Sequence, residues 1–394
     1  MASHFDLPQE LVDKIVSELR NDIPALCTCA LISRDFLPWS RLHLFSSVRL
    51  TGGNFYAFRT LIASSPAVAS YVRRLEMPLM ASLPAFVLLP PESMARLPNL
   101  TKLSTHCDPF GFRHLSAAQH RILSDTTRHL TSVELSIDRF WTLPEWAALL
   151  NGCATLKNLA IHADPTALWS EDVGLEMPVA PPEDAPRLRT LRISGDCKVL
   201  GPLGAWLLPS GFLVALHTLA IDVDYVLDDY DPPDRRLPLV LAGAASLEVL
   251  TLHLDPPMPL STPADVPISL ASFPLLHTLH LKDGPDAEFG ASLRWLADFL
   301  HAPATDHITP ADSALESVSL AHSLVRRDID AVPASTWRAL EAALLASPRL
   351  HALTFKGYGK YSVGSAPGAF AHFAGTVRAQ LAGLEARGVL RTVQ

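Results

Sequence analysis

The feature that most constrains the fold is a short leucine phrase that returns ten times along the chain. At residues 247–252 the phrase reads LEVLTL, so that Leu247, Leu250 and Leu252 follow the order L-x-x-L-x-L. Successive side chains of a strand point to opposite faces, so the phrase predicts a short strand with leucines on one face. A single strand cannot bury such a face, whereas a row of strands can. The ten copies begin at residues 72, 100, 130, 156, 188, 216, 247, 276, 315 and 350.

The spacing of these copies predicts a solenoid. Successive copies start 26 to 39 residues apart. A period in this range is typical of repeats that bury their apolar faces against the neighbouring repeats. Between copies, the segments 143–159, 292–301 and 336–350 place apolar residues at helical spacing. Strands that alternate with helices along the chain favour a parallel sheet. We therefore predict an α/β fold with about ten units over residues 71–367.

The first fifty residues follow a different pattern. In LPQELVDKIVSELR, Leu7, Leu11, Ile15 and Leu19 stand four residues apart, which predicts an amphipathic helix. A second helical segment and a third apolar turn follow before residue 50, which together predict a very small bundle. A core this thin usually needs a metal, a disulfide or a partner, and here only a partner fits the residues present.

The remaining boundaries follow from these two patterns. We predict the bundle over residues 1–50, a junction helix over 51–70, and a capping helix with a tail over 368–394. The cap follows from GAFAHFAGTVRAQLAGLEARG, whose apolar residues have helical spacing before a terminal glycine. Such a segment would cover the exposed end of the last repeat.

Composition excludes several classes of protein. The chain of 394 residues is 48% hydrophobic and 18% charged, which excludes a disordered protein, and its net charge of −8 argues against a nucleic-acid binder. Its five scattered cysteines favour a reduced compartment. We find neither a signal-peptide pattern at the start nor an apolar stretch of membrane-spanning length. We therefore expect no membrane or nucleic-acid partner, and a location in the cytoplasm, the nucleus or both.

The N-terminal pattern resembles the F-box, and the repeats resemble irregular leucine-rich repeats. The features that carry the first resemblance are Leu7-Pro8, Glu10-Leu11, Ile15, Leu19, Leu26, Leu31, Ser33, Arg34 and Phe36. An F-box followed by leucine-rich repeats is a recurring family architecture. The resemblance implies a curved right-handed coil, with the parallel sheet on its concave face and the helices outside. It also implies docking on a Skp-type adaptor of a cullin–RING ubiquitin ligase, where the repeats select the protein to be ubiquitinated.

The resemblance also indicates which residues would contact the adaptor, through an apolar stripe laid against a partner helix or groove. The candidates are Leu7, Pro8, Leu11, Ile15, Leu26, Leu31 and Phe36. A second interpretation is that these apolar residues only form the core of the bundle itself.

The substrate surface is expected on the concave face and on one acidic loop. If the leucines point inward, the alternating residues, from Lys102 to Lys356, face the concave side. The candidates for substrate binding are Glu134, His162, Arg192, Asp222, His253, His280, Asp228 and Asp229. The acidic loop at 228–236 does not have the spacing of a calcium-binding EF-hand, so a solvated or peptide-binding loop is the better interpretation.

No enzyme motif occurs in the sequence. It contains no G-x-S-x-G, Walker A, G-x-G-x-x-G or H-E-x-x-H pattern. We therefore expect no catalytic role, no metal and no cofactor. Two alternatives stay open: a leucine-rich-repeat interaction scaffold outside any ligase, and an enzyme with an unrecognised site.

Overall fold

The structure of the chain is a computed structural model. It describes residues 7–77, 90–105, 117–137, 150, 152–163, 187–196, 199–224, 236–254, 268–283, 288–301, 313–323, 329–358 and 369–393. Contacts divide the chain into unit one, residues 1–159 with 166–178, and unit two, residues 160–165 with 179–394. Of the segment 143–159, residues 143–149 and 151 lie outside the described residues, and so do residues 228–235 of the acidic loop at 228–236, whose last residue, Arg236, begins a helix. The predicted domain boundaries at residues 50, 70 and 367 stay predictions.

Unit one begins with three short helices. They are α1 (Gln9–Glu18), α2 (Ile23–Ile32) and α3 (Leu37–Ser46). The side chain of Asp22 starts α2, because its Oδ1 accepts a hydrogen bond of 3.0 Å from the backbone N–H of Ala25. Val12, Val16 and Leu26 form the buried core that joins these helices, which we call the α1–α3 bundle.

The rest of unit one alternates helices with parallel strands. The elements are β1 (Ser47–Arg49), α4 (Phe55–Ser64), α5 (Pro66–Tyr71), β2 (Arg74–Met77), α6 (Pro91–Met94), β3 (Lys102–Thr105), α7 (Ala117–Thr127) and β4 (Ser132–Ile137). β1 to β4 pair in parallel and in chain order. β1 was not predicted, because it lacks the full leucine phrase; it forms where Val48 pairs with Leu75 of β2. The division between the units falls within β5 (Asn158–Ala163).

Unit two continues the same alternation. Its first half contains β6 (Thr190–Asp196), α8 (Leu200–Leu207), β7 (Thr218–Asp224), α9 (Arg236–Gly243), β8 (Val249–His253), a 3-10 turn (Leu270–Ser272) and β9 (Thr278–Lys282). Its second half contains α10 (Phe289–Leu300), β10 (Ser317–Ser323), α11 (Ala334–Leu345), β11 (Ala352–Tyr358), α12 (Ala369–Gln380), α13 (Ala382–Ala386) and β12 (Leu390–Val393). β6 to β12 pair in parallel and in chain order.

The leucine phrases form the core of unit two because they align in register. Leu219 pairs with Leu250, Leu250 with Leu279, and Leu279 with Val318, and each of these side chains is buried. All ten predicted strands, now β2 to β11, are present, so the mixed α/β fold of solenoid type with parallel strands is confirmed. The curvature and handedness implied by the resemblance stay predictions.

The C-terminal end differs in part from the expectation. The predicted cap is helical in α12 and α13, and Gly388 follows with a φ of +70°, as a helix stop requires. The residues after it do not form a loose tail. They form β12, because Leu390 pairs with Leu353 and adds a strand to the sheet beside β11.

Candidate functional site

The α1–α3 bundle leaves apolar side chains outside its own core. Leu11 and Ile15 lie one turn apart on α1, and Leu7 precedes them by the same interval; they are 47%, 43% and 49% exposed respectively. Val12 and Val16 lie on the buried side of the same helix. We call Leu7, Leu11 and Ile15 the α1 stripe.

The second helix repeats this division. Ile23, Cys27 and Leu31 are spaced by four residues and exposed, and Leu31 reaches 88%. Leu26 and Cys29 are buried on the other side of α2. We call Ile23, Cys27 and Leu31 the α2 stripe. The sequence analysis did not single out Ile23, although its spacing of eight residues from Leu31 is a helical signal.

The predicted adaptor contacts therefore fall into two groups. Leu7, Pro8, Leu11, Ile15 and Leu31 are exposed. Leu26 is only 1% exposed and lies in the core, against which Phe36 packs. Core packing thus accounts for Leu26 and Phe36, whereas the other five side chains lie at the surface of the bundle.

The second candidate surface is the side of the sheet in unit two that the leucines do not occupy. We call it the polar face, and its residues align in rows that cross the strands, two of which contain half of the predicted substrate residues. The first row is Arg192, Ala220, Thr251, His280, Ser319, Thr354 and Arg391. The second row is Ser194, Asp222, His253, Lys282, Ala321, Lys356 and Val393.

An ion pair joins two strands of the second row. Lys282 Nζ on β9 lies 2.7 Å from both carboxylate oxygens of Asp222 on β7. His253, on the strand between them, donates from Nδ1 to the carbonyl oxygen of Val223 at 2.9 Å and lies 3.7 Å from Asp222 Oδ1. The negative charge of Asp222 is therefore engaged by Lys282.

In the first row, a nearby positive charge affects the pKa of His280. Burial lowers the pKa of His280, and the nearby positive charge of Lys356 lowers it further. His280 is consequently neutral near pH 7. Among the residues that the structure describes, Arg192, Lys356 and Arg391 are exposed and have no ion-pair partner.

The predicted substrate residues are only partly brought together. Arg192, Asp222, His253 and His280 lie on the polar face, where His253 is buried. His162 on β5 also belongs to unit two, and its Nδ1 lies 2.5 Å from Ser194 Oγ. Glu134 belongs to unit one, where it pairs in register with Ser104. Asp228 and Asp229 lie outside the described residues.

A buried polar cluster lies at the end of β9. Ser292 Oγ donates to Asp283 Oδ1 at 2.5 Å, and His322 Nδ1 donates to Asp283 Oδ2 at 3.1 Å. Ser292 and His322 thus bond to the same carboxylate, and all three side chains are buried. This geometry ties α10 and β10 to the end of β9, and it does not place a serine against a histidine base.

The described residues provide neither a metal site nor a membrane-spanning helix. Within the described ranges, no group of three or more His, Cys, Asp or Glu side chains could hold a metal ion. In the same part of the chain, no helix combines the length and the apolar composition needed to cross a membrane.

Comparison with known proteins gives a structural likeness without a family. No protein-family description and no curated protein matches the chain. The structure is similar to the crystal structure of a protein from Bacteroides fragilis, with a TM-score of 0.34 and 13% sequence identity. The match covers 76% of this chain and 66% of the Bacteroides chain, which is just under two thirds of the latter. The strands and helices described above define a repeat protein of the α/β solenoid class.

Proposed function

We propose that this chain is the substrate-recognition subunit of an SCF-type ubiquitin ligase. The α1–α3 bundle acts as an F-box and docks on a Skp-type adaptor, while the leucine-rich repeats hold the target protein. The chain supplies no catalytic group, and it acts in the cytoplasm or nucleus, where such ligases assemble. The observation that supports this proposal is the pair of exposed apolar stripes on a bundle whose described core cluster has three fully buried apolar residues.

The energetics favour a partner for these stripes. Full burial of a leucine or isoleucine side chain contributes about 1.5–3 kcal/mol, and about half of that is still available for side chains that are already half-buried. Leu7, Leu11, Ile15 and Leu31 together could therefore contribute several kcal/mol to an interface. Two helices with apolar stripes match the mode in which helices dock into an apolar groove.

Binding to a purified Skp-type adaptor tests the proposal. The full chain should bind the adaptor, and Leu11→Asp should weaken binding at least about 100-fold, because it places a charge in an apolar contact. Isothermal titration calorimetry measures the affinity, and circular dichroism verifies that the variant is folded. A chain that binds target proteins but never the adaptor would instead be the interaction scaffold outside any ligase.

The control is a matched apolar position in unit two. Leu275 is 48% exposed, against 47% for Leu11, and it lies in a turn before β9. Leu275→Asp adds the same charge and should leave adaptor binding unchanged. Equal losses in both variants, or unchanged binding in Leu11→Asp, would contradict the placement of the interface on α1.

A further inference from the structure

The two rows of the polar face in unit two carry a charge opposite to that of the whole chain. The chain carries a net charge of −8. Along the described strands β6 to β12, however, the two rows contain the cations Arg192, Lys282, Lys356 and Arg391, with Asp222 as their one carboxylate. Asp196 and Asp224 pair with each other beyond the second row, at the ends of β6 and β7. A cationic surface on an acidic protein indicates selection of an anionic partner at that surface.

The ion pair on this face leaves three positive charges available. Lys282 is bound to both oxygens of Asp222 at 2.7 Å, so these two charges compensate each other. Arg192, Lys356 and Arg391 are exposed and have no ion-pair partner in the part of the chain that the structure describes. The uncompensated positive charge of the two rows therefore lies on side chains that a ligand can reach.

The positive charges of the first row lie at its two ends, which sets the length of a ligand that could contact both. Arg192 on β6 and Arg391 on β12 end the first row, and neighbouring strands are spaced by about 4.8 Å, so they are about 29 Å apart along the row. Lys356 is diagonal to Arg391, a separation of about 7–8 Å. Between the ends, the first row presents small side chains and His280, which leave a shallow floor for an extended chain.

We propose that the polar face of β6 to β12 binds an extended acidic segment, rich in Asp and Glu, of a target protein. A segment of about nine residues, at about 3.3 Å per residue, would span the row from Arg192 to Arg391. The guanidinium groups at both ends can each hold a carboxylate through two parallel hydrogen bonds. As a statement about the class of substrate, this inference rests on the proposed function.

The same charges argue against nucleic acid as the occupant. A typical DNA-binding surface neutralises about 6–10 phosphates, whereas among the described residues the two rows offer three cations without an ion-pair partner. The net charge of −8 also repels a long polyanion. A short acidic peptide interacts with the local surplus and avoids most of this repulsion.

Fluorescence anisotropy on the full chain tests the proposal. The probe is a labelled peptide of about nine residues in which Glu alternates with Ser, compared with a Gln–Ser peptide and a short single-stranded DNA of equal charge. We expect saturable binding of the Glu peptide and at least about tenfold weaker binding of the other two probes. Absence of saturable binding, or tighter binding of the DNA, would overturn the proposal.

Matched double variants locate the interaction. Lys356→Gln with Arg391→Gln should weaken peptide binding about tenfold or more. Arg338→Gln with Arg349→Gln makes the same change of net charge at exposed positions outside the polar face, on α11 and in the turn after it, and should have little effect. Equal losses in the two double variants would show a general charge effect and overturn the assignment.

Adaptor binding is measured on the same preparations. If the peptide binds and the adaptor does not, the ligase role fails while the acidic-segment site stands. If the adaptor binds and the peptide does not, the site fails while the proposed function stands.

Discussion

In the α1–α3 bundle three apolar core side chains are fully buried, whereas in unit two alternate residues of each strand from β6 to β11 are buried. The bundle exposes Leu11, Ile15 and Leu31, while the sheet exposes Arg192, Lys356 and Arg391. Both regions are rich in leucine. The difference between their surfaces therefore arises from the geometry of the elements and not from composition.

The helices and strands bury their leucines differently. A helix of ten residues with apolar side chains on two sides can turn only one of them toward a thin core, and the other stays outside. A strand with a strict period of two turns all its leucines to one face, which the next strand and a covering helix bury. The bundle is thus suited to an apolar partner, and the polar face to one recognised by charge.

The largest expected effect comes from a buried polar cluster: unit two buries the charged side chain of Asp283, whereas the core cluster of the bundle consists of Val12, Val16 and Leu26. Asp283→Ala would leave the buried donors of Ser292 and His322 without an acceptor. We expect a loss of about 2–5 kcal/mol in the free energy of unfolding of unit two. Urea denaturation measures it, and hydrogen exchange should show that the α1–α3 bundle keeps its protection.

The control for this prediction is an acidic residue on α10, the helix that contributes Ser292. Asp298 is exposed, and Asp298→Ala should change stability by no more than about 0.5 kcal/mol. If the two variants were equally stable, the cluster would contribute nothing to the fold.

The sequence predicts the fold well where its pattern is complete. The leucine phrase predicted β2 to β11, while β1 and β12 were missed because Val48 and Leu390 stand in shorter apolar runs. For the bundle, the pattern cannot decide which side of α1 is buried, because Val12 and Val16 form a second apolar side beside Leu11 and Ile15.

For the polar face, alternation along each strand placed Arg192, Asp222 and His280 correctly on one side of the sheet. It could not predict that Asp222 pairs with Lys282. These residues are 60 positions apart and meet across an intervening strand, so their contact depends on the register of three strands.

Binding at the two surfaces should depend differently on the salt concentration. Raising the salt concentration from about 0.05 M to 0.5 M should weaken binding of the acidic peptide about tenfold, because exposed charges are screened within a few ångströms at high salt. Adaptor binding through the α1 and α2 stripes should change less than about twofold, since burial of apolar surface does not depend on such screening. Titrations of both ligands over the same salt series provide the measurement. If the affinities for the peptide and for the adaptor depended equally on salt, the two surfaces would not differ in the kind of interaction that they use.

The smallest expected effect is a pH dependence at His280. Its folded pKa is lowered by burial and then by Lys356, so the folded chain binds a proton less readily than the unfolded chain. The stability of unit two should therefore fall as the pH decreases through about 6.5, and His280→Gln should reduce that fall.

Peptide binding should show the opposite trend. Lys356 is the charged group that lowers the pKa of His280, and Asp222, His253 and Lys282 lie in the adjacent row of the polar face. Carboxylates bound beside Lys356 would favour protonated His280. Affinity for the acidic peptide should rise modestly between about pH 7.5 and pH 5.5, where free Glu stays mostly ionised. His280→Gln should flatten this rise, whereas His43→Gln in the bundle should not, although burial and Arg20 lower the pKa of His43 as well. An unchanged pH profile in His280→Gln would show that His280 does not face the bound segment, and would contradict a segment that spans the row from Arg192 to Arg391.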